Sequence, residues 1–312
     1  MQQYGQESPD HMAVERITGQ YIAPRHIDAR PPRVPPKNFG SPYILFGGFS
    51  LLITIGTLLL LMPFANTLEG ITPFLDALFT ATSAVTVTGL IVVDTPTYWS
   101  IYGQFIIMSL IFTGGLGIMT SATFLLIMIG QRLTLANRLL MRESLGESRL
   151  EGLIRLTIRI VLAVVGIQAI GTVVLFIRLL QDHAASTAAW HAIFHAVSGF
   201  NNAGFVIFPN SESLSAFQQD YALLLTMTIL IILGTLSYSV LLDIFGLRRF
   251  NRYTLDTKLV IIVTSGMLIL GALVILVAEY GNEATLGSME IPGKILNAVF
   301  HSVSGRTAGF TT

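Results

Sequence analysis

Long apolar runs alternate with short polar stretches along most of this chain, and the pattern predicts helices throughout. Five segments, at about 43–62, 99–130, 153–180, 220–246 and 259–279, are apolar enough to span a bilayer, which takes roughly 20 helical residues. The second and fourth exceed that length, so a tilt, a kink or a projection into the cytoplasm is expected. Between the spans lie three shorter stretches of shared form: Phe79 to Leu90 (FTATSAVTVTGL), Phe194 to Phe205 (FHAVSGFNNAGF) and Phe300 to Phe310 (FHSVSGRTAGF). Each opens as an amphipathic segment and closes on small residues and a glycine. That composition suits a half-helix turning into extended chain at membrane depth. Such backbone is tolerated in a bilayer only where protein buries it or it lines a water-filled cavity.

The order is span, loop, span; span, loop, span; then span and loop. Each complete unit crosses twice, so the copies start on the same side and are parallel repeats about an axis along the membrane normal. The expected organisation is a tail at 1–42, a first unit at 43–130, a connection at 131–152, a second unit at 153–248, a connection at 249–258, and an incomplete third unit at 259–312. Phe79 to Gly89 and Phe194 to Gly204 align without gaps, while Phe300 to Gly309 is one residue shorter. Leu110 to Gly117 and Leu230 to Ser237 also align, glycine on glycine at Gly114 and Gly234. Small residues there allow close helix packing, the favoured role, or local unwinding. By analogy the second span of the third unit would follow Thr312, so the chain reads as a fragment or truncated product.

Composition places these helices in lipid: 52% of residues are hydrophobic, 12% are charged and the mean hydropathy is +0.68, against about a quarter charged in soluble domains. The absence of cysteine removes disulfides, thiolate metal sites and cysteine nucleophiles. Cations orient the chain. Arg16, Arg25, Arg30, Arg33 and Lys37 precede the first span, Arg132 to Arg159 flank the first connection, and Arg248, Arg249, Arg252 and Lys258 sit in the second. Residues 63–100 and 181–220 hold neither Lys nor Arg. The positive-inside rule therefore predicts a cytoplasmic amino terminus and loops entering from outside. The proline-rich tail has no cleavable signal core before residue 43, and its basic half suits anionic lipid or a protein partner equally.

Loops of this kind can replace the water around a monovalent cation with backbone carbonyls, and about four are needed around an axis. The candidate ligands are Thr86, Val87, Thr88 and Gly89; Asn201, Asn202, Ala203 and Gly204; and Thr307, Ala308 and Gly309. Val and Thr favour extended backbone, and a glycine permits the dihedral that turns a carbonyl inward. One dominant K+ site at the glycine level is expected, with serine at any of the three loosening discrimination against sodium. Arg306 would repel a permeating ion unless it points away, so it is expected to support the loop, paired with a carboxylate. Asp76, Asp94, Glu212 and Asp220 could concentrate cations outside or be ordinary solvated residues, and Asp243 is expected to pair with Arg248 and Arg249. Two rival classes exist. His191 and His195 at metal-chelating spacing, with Ser198, His301, Ser302 and Ser304, suggest an intramembrane hydrolase. Against it, the first repeat has Thr80 in place of histidine and no buried acid orients a base. The other rival is a non-conducting membrane scaffold or receptor.

The residues Asp76 to Thr80, Ser83 to Leu90, Val93 to Thr95, Gly114 to Gly117, Phe194 to Ser198, Phe200 to Phe205 and Arg306 to Phe310 together resemble the Trk/Ktr/HKT superfamily of potassium uptake proteins, closest to the bacterial Ktr-type membrane subunit. The resemblance runs from about residue 43 to the end. It implies an all-α integral membrane fold in which span–pore loop–span units surround a central pore, with Gly89, Gly204 and Gly309 as selectivity glycines. It also implies potassium uptake across the plasma membrane with sodium as activator, and no enzyme activity or covalently bound cofactor. The implied partners are a second copy of the chain, a cytoplasmic nucleotide-binding ring of RCK type and membrane lipid, with no nucleic acid. Gly234 to Ser237 carries less glycine than the family pattern, and the tail is longer.

Overall fold

The computed structural model describes residues 41–68, 70–117, 120, 153–209, 213–246 and 250–312. The tail at 1–40 and the connection at 131–152 lie outside the described residues. The described part is helical, with no strand beyond one isolated bridge between Asn66 and Trp99.

The first group of helices is α1 (Ser41–Leu60), α2 (Phe74–Val85), the single turn α3 (Thr95–Tyr98) and α4 (Ile101–Gly115). The second is α5 (Leu153–Leu179), α6 (Ala185–Phe200), α7 (Tyr221–Thr235) and α8 (Tyr238–Gly246), and the third is α9 (Leu255–Glu279) and α10 (Ile291–Thr307). Local chemistry sets several starts. Ser100 caps α4 by accepting from the Gly103 N–H, Asp220 caps α7 through Leu223, and Thr254 caps α9 through Thr257. Such caps satisfy donors that the first helical turn leaves free. Proline in the first turn opens α10, where its missing N–H costs nothing.

By length and composition α5 and α9 can each cross a membrane, and α7 with α8 pass the same test only as a pair bent by 111°, the form of a broken span or a re-entrant loop. The bend is one of the outcomes expected of a fourth segment longer than a span needs. In the first unit α4 likewise stops at Gly115, and Gly117 takes a φ of +80°. Both roles weighed for the small residues are therefore realised. A Cβ on Gly114 would collide with the Val85 carbonyl oxygen, and one on Gly234 with that of Phe200. The chain then leaves the helix within a few residues.

Each half-helix is wedged between neighbours. α2 packs between α1 and α4, α6 between α5 and α7, and α10 against α9 and the α7 of the preceding unit. Glycine notches admit the close approach: Gly56 faces Leu110 and Ala81, and Gly171 faces Leu230. Leu110 and Leu230 are equivalent in the sequence repeat, so one packing solution is used twice. The outward side of α9 exposes Leu259, Val263, Met267, Leu270 and Val277, the surface an apolar helix presents to lipid.

Candidate functional site

The half-helices α2 and α6 end in left-handed turns that aim the chain back on itself. At the end of α2 the Val87 N–H donates to the Ala84 carbonyl (3.3 Å) and the Thr88 N–H to that of Ser83 (2.9 Å). At the end of α6 the Asn202 N–H donates to Gly199 (3.1 Å) and the Ala203 N–H to Ser198 (2.8 Å). These are Schellman closures, which need a left-handed residue after the cap, and Val87 (φ +55°) and Asn202 (φ +59°) supply it. Val87 is thus not extended as its β-branch suggests; the closure overrides a preference that normally excludes valine from this region. α10 runs one residue further and closes with a right-handed Ala308 (φ −96°), the Ala308 and Gly309 N–H groups both donating to the Ser304 carbonyl (2.8 and 2.9 Å). The third loop thus lacks the left-handed residue that Val87 and Asn202 supply in the other two, and it is one residue shorter.

Gly89, Gly204 and Gly309 have φ of +77°, +74° and +73°, and the loops stand side by side. A Cβ on Gly89 would overlap the Ala203 carbonyl oxygen and lie 3.0 Å from the Gly204 Cα; one on Gly204 would lie 2.5 Å from the Ala308 carbonyl oxygen. A Cβ on Gly309 would meet nothing within 4 Å. Among the described residues, the carbonyl oxygens of Thr86, Val87, Thr88, Gly89, Asn201, Asn202, Ala203, Gly204, Ala308 and Gly309 accept no hydrogen bond. Thr86, Thr88 and Gly309 are exposed and Val87, Gly89, Asn202 and Gly204 half-buried, so these carbonyls are open to water, to another donor or to a cation. The carboxyl ends of α2, α6 and α10 lead directly into this cluster, and each contributes the negative end of a helix dipole.

Several side chains at the site bond to neighbouring groups. The Thr86 hydroxyl donates to the Thr82 carbonyl (2.8 Å) and lies 2.6 Å from the Thr88 hydroxyl. Asn201 donates to the Val197 carbonyl (2.8 Å) and rests its carboxamide on Gly115. The Asn202 Oδ1 accepts from the Thr307 hydroxyl at 2.9 Å. Arg306, expected to pair with a carboxylate, makes no ion pair among the described residues; it is exposed beside Ile232, Thr235 and Leu268. Lying in the last turn of α10, it is placed where a cation offsets the helix dipole.

Buried serines hold the loops from behind. Ser198 Oγ donates to the Phe205 carbonyl (2.7 Å) and Ser304 Oγ to the Phe310 carbonyl (2.6 Å). The equivalent Ser83 Oγ is buried with no partner among the described residues. Sequence reasoning misses this support: it weighs Ser198 and Ser304 only for a rival hydrolase reading, although the serine at the same place in all three repeats is there to be seen. His195 stacks on Phe208 with centroids 4.0 Å apart, its Nδ1 at 2.7 Å from the His191 carbonyl and its Nε2 accepting from the Ile207 N–H. Both ring nitrogens are therefore committed to backbone, and neither is turned to Ser198. His301 Nε2 lies 2.8 Å from the Thr312 hydroxyl. The described residues contain no group of three or more candidate metal-ligating side chains.

The acidic residues divide. Asp220 is not simply solvated: it ion-pairs with Arg178 at 2.8 Å while capping α7. Asp243 accepts from the Thr254 and Thr257 hydroxyls (2.8 and 2.7 Å), and Arg248 and Arg249 lie outside the described residues, as does Glu212. Asp94 accepts from the Thr97 hydroxyl at 2.5 Å, and Asp76 sits in the first turn of α2.

Residues 49–312 match the TrkH family model, described as a cation transport protein. The chain is 39% identical to Ktr system potassium uptake protein B of Bacillus subtilis over 88% of its own length and 61% of that protein's. It is 37% identical to potassium/sodium uptake protein NtpJ of Enterococcus hirae over 88% of this chain and 60% of that one. The chain thus spans about three-fifths of the relatives it matches. The crystal structure of the potassium transporter TrkH from Vibrio parahaemolyticus superposes with a TM-score of 0.60 at 18% identity, covering 88% of this chain and 52% of that one. With the family model matched from within the first span to the final residue, this chain belongs to the TrkH family of cation transport proteins.

Proposed function

We propose that the protein is the membrane subunit of a Ktr/Trk-type potassium uptake system, and that its three loops form part of a backbone-carbonyl filter. The observation that carries this is the row of unpaired carbonyls beside Gly89, Gly204 and Gly309, where a dehydrated monovalent cation gains the oxygen ligands it loses from water. Thr86 to Gly89, Asn201 to Gly204 and Thr307 to Gly309 supply the ligands through their main chain, and Arg306 supports the third loop. The names of the similar proteins support potassium as the ion, and that of NtpJ supports sodium as a second transported ion; sodium as an activator is part of the same proposal. The sequence boundaries at 42, 130, 152, 248 and 258 divide this reading into tail, units and cytoplasmic connections. The distribution of arginine supports a cytoplasmic amino terminus in the plasma membrane. Pairing with a second copy and docking on a nucleotide-binding cytoplasmic ring complete the proposed assembly. The test is rescue of a potassium-uptake-deficient bacterium at low external potassium by the full gene product with its regulatory subunit. Growth with ion flux supports the proposal; an expressed, membrane-inserted protein that restores neither favours the scaffold reading.

A further inference from the structure

We infer that the Asn202 carboxamide is a positioning residue that ties the second loop to the third and to the end of α7, and so sets the spacing of two columns of filter carbonyls. The inference rests on the reading of these loops as a filter. Asn202 Oδ1 accepts from the Thr307 hydroxyl at 2.9 Å, and its Nδ2 donates to the Phe200 carbonyl at 3.2 Å. The Thr235 hydroxyl lies 3.3 Å from the same Oδ1 and shares its single hydrogen with the Ile231 carbonyl at 2.6 Å. The carboxamide sits over Gly234, where a Cβ would approach Nδ2 to 3.1 Å. Thr307 is the last residue of α10, and Thr235 is the last of α7 before its 111° break.

Backbone geometry alone does not call for asparagine here. Val87 holds the same left-handed conformation at the equivalent place in the first loop, with no hydrogen-bonding side chain. The helix end equivalent to Gly234–Thr235 is Gly114–Gly115, which offers no hydroxyl. The tie is therefore peculiar to the second loop and is not imposed by the repeat. It lies one residue before Ala203 and Ala308, and the Ala308 carbonyl is the one that Gly204 packs against. Release of Asn202 from Thr307 frees that pair of carbonyls to separate, which favours loss of size discrimination over loss of transport.

Three substitutions in the full gene product separate this from simple scaffolding. Asn202→Gly keeps the left-handed backbone without the carboxamide, Thr307→Val keeps the shape without the donor, and Thr307→Ser keeps the donor. Apparent KM for potassium and for sodium is measured in proteoliposomes. Asn202→Gly and Thr307→Val are expected to lower the potassium-over-sodium preference about three- to tenfold, the worth of one neutral hydrogen bond. Their combination is expected to be no worse than either alone, and Thr307→Ser to match the unmodified protein. Where a variant accumulates without transporting, the Tm rise that potassium gives the purified protein is expected to shrink relative to that from sodium. Unchanged ion preference in both variants, or equal damage by Thr307→Ser and Thr307→Val, overturns the tie alone. An unmodified protein that moves neither ion overturns the filter reading and the tie with it.

Discussion

Gly89 and Gly204 pack backbone on backbone: a methyl group on Gly89 would stand 3.0 Å from the Gly204 Cα and nearer still to the Ala203 carbonyl oxygen. Two loops more than a hundred residues apart in sequence are thus fitted to each other at the level of their main chains. Substitution by alanine is expected to carry a left-handed strain of roughly 1–2 kcal/mol at all three filter glycines. At Gly89 and Gly204 it must also displace a carbonyl, whereas Gly309 opens to nothing within 4 Å. Competitive rubidium and sodium uptake should therefore show Gly89→Ala and Gly204→Ala losing discrimination by about tenfold or more, with Gly309→Ala several-fold milder. Equal losses at all three positions would show that dihedral strain alone governs the loops.

The serine behind each loop allows a paired comparison. Ser198→Ala and Ser304→Ala strand the Phe205 and Phe310 carbonyls in a buried setting, which costs about 1–3 kcal/mol each. Ser83 makes no such bond, so Ser83→Ala removes an unpaired polar group and should be neutral or stabilising. Thermal unfolding of the purified protein orders the three variants. A Ser83→Ala protein as unstable as the other two would contradict the assignment.

Much of this architecture is written in hydrophobic length, because lipid demands long apolar runs and the chain supplies them at α5 and α9. The half-helices were equally legible, since a short amphipathic stretch ending in small residues has few other uses at membrane depth. Contacts made by the fold were not. Nothing local in Gly234-Thr235-Leu236-Ser237 forces a break as proline would; the close approach of Phe200 and Asn202 to that helix end is a tertiary fact. Val87 hides its left-handed turn behind a residue type that prefers strands. Arg306 reads as half of an ion pair, because a cation beside a pore calls for compensation, yet exposure and a helix carboxyl end serve it instead. Asp243 reads as a partner for the nearest arginines in sequence, and two threonine hydroxyls at the start of α9 reach it.

Glycine at a helix contact and glycine on a free face should respond oppositely to alanine. A Cβ on Gly234 would overlap the Phe200 carbonyl oxygen, while one on Gly266 in α9 would meet nothing within 4 Å. Gly234→Ala is expected to destabilise by about 1–3 kcal/mol through forced separation of α6 and α7. Gly266→Ala should gain up to about 1 kcal/mol of helix propensity. The Tm values of the two variants in detergent should fall on opposite sides of the unmodified protein, and a fall for Gly266→Ala would place an unseen neighbour against that face.

Besides the loop contacts at Gly89 and Gly115, one buried amide joins the first and second units. Gln104 Oε1 accepts from the Trp190 indole N–H at 2.7 Å, and its Nε2 donates to the Trp99 carbonyl at 3.1 Å. The second bond fixes which way the amide faces, so Trp190 meets an acceptor already oriented for it. Trp190→Phe leaves Oε1 unpaired in a residue only 9% exposed, and Gln104→Leu leaves the indole N–H without its acceptor. Each single change should lower stability by about 1–3 kcal/mol, since an orphaned buried group costs more than the bond itself contributes. The double variant removes donor and acceptor together, so its loss should be clearly smaller than the sum of the two, with a coupling of about 0.5–1.5 kcal/mol. Additive losses in Tm would mean that the two units are held by packing alone. In that case Gln104 would matter only for the Trp99 carbonyl within its own unit, and Trp190→Phe by itself should then be nearly silent.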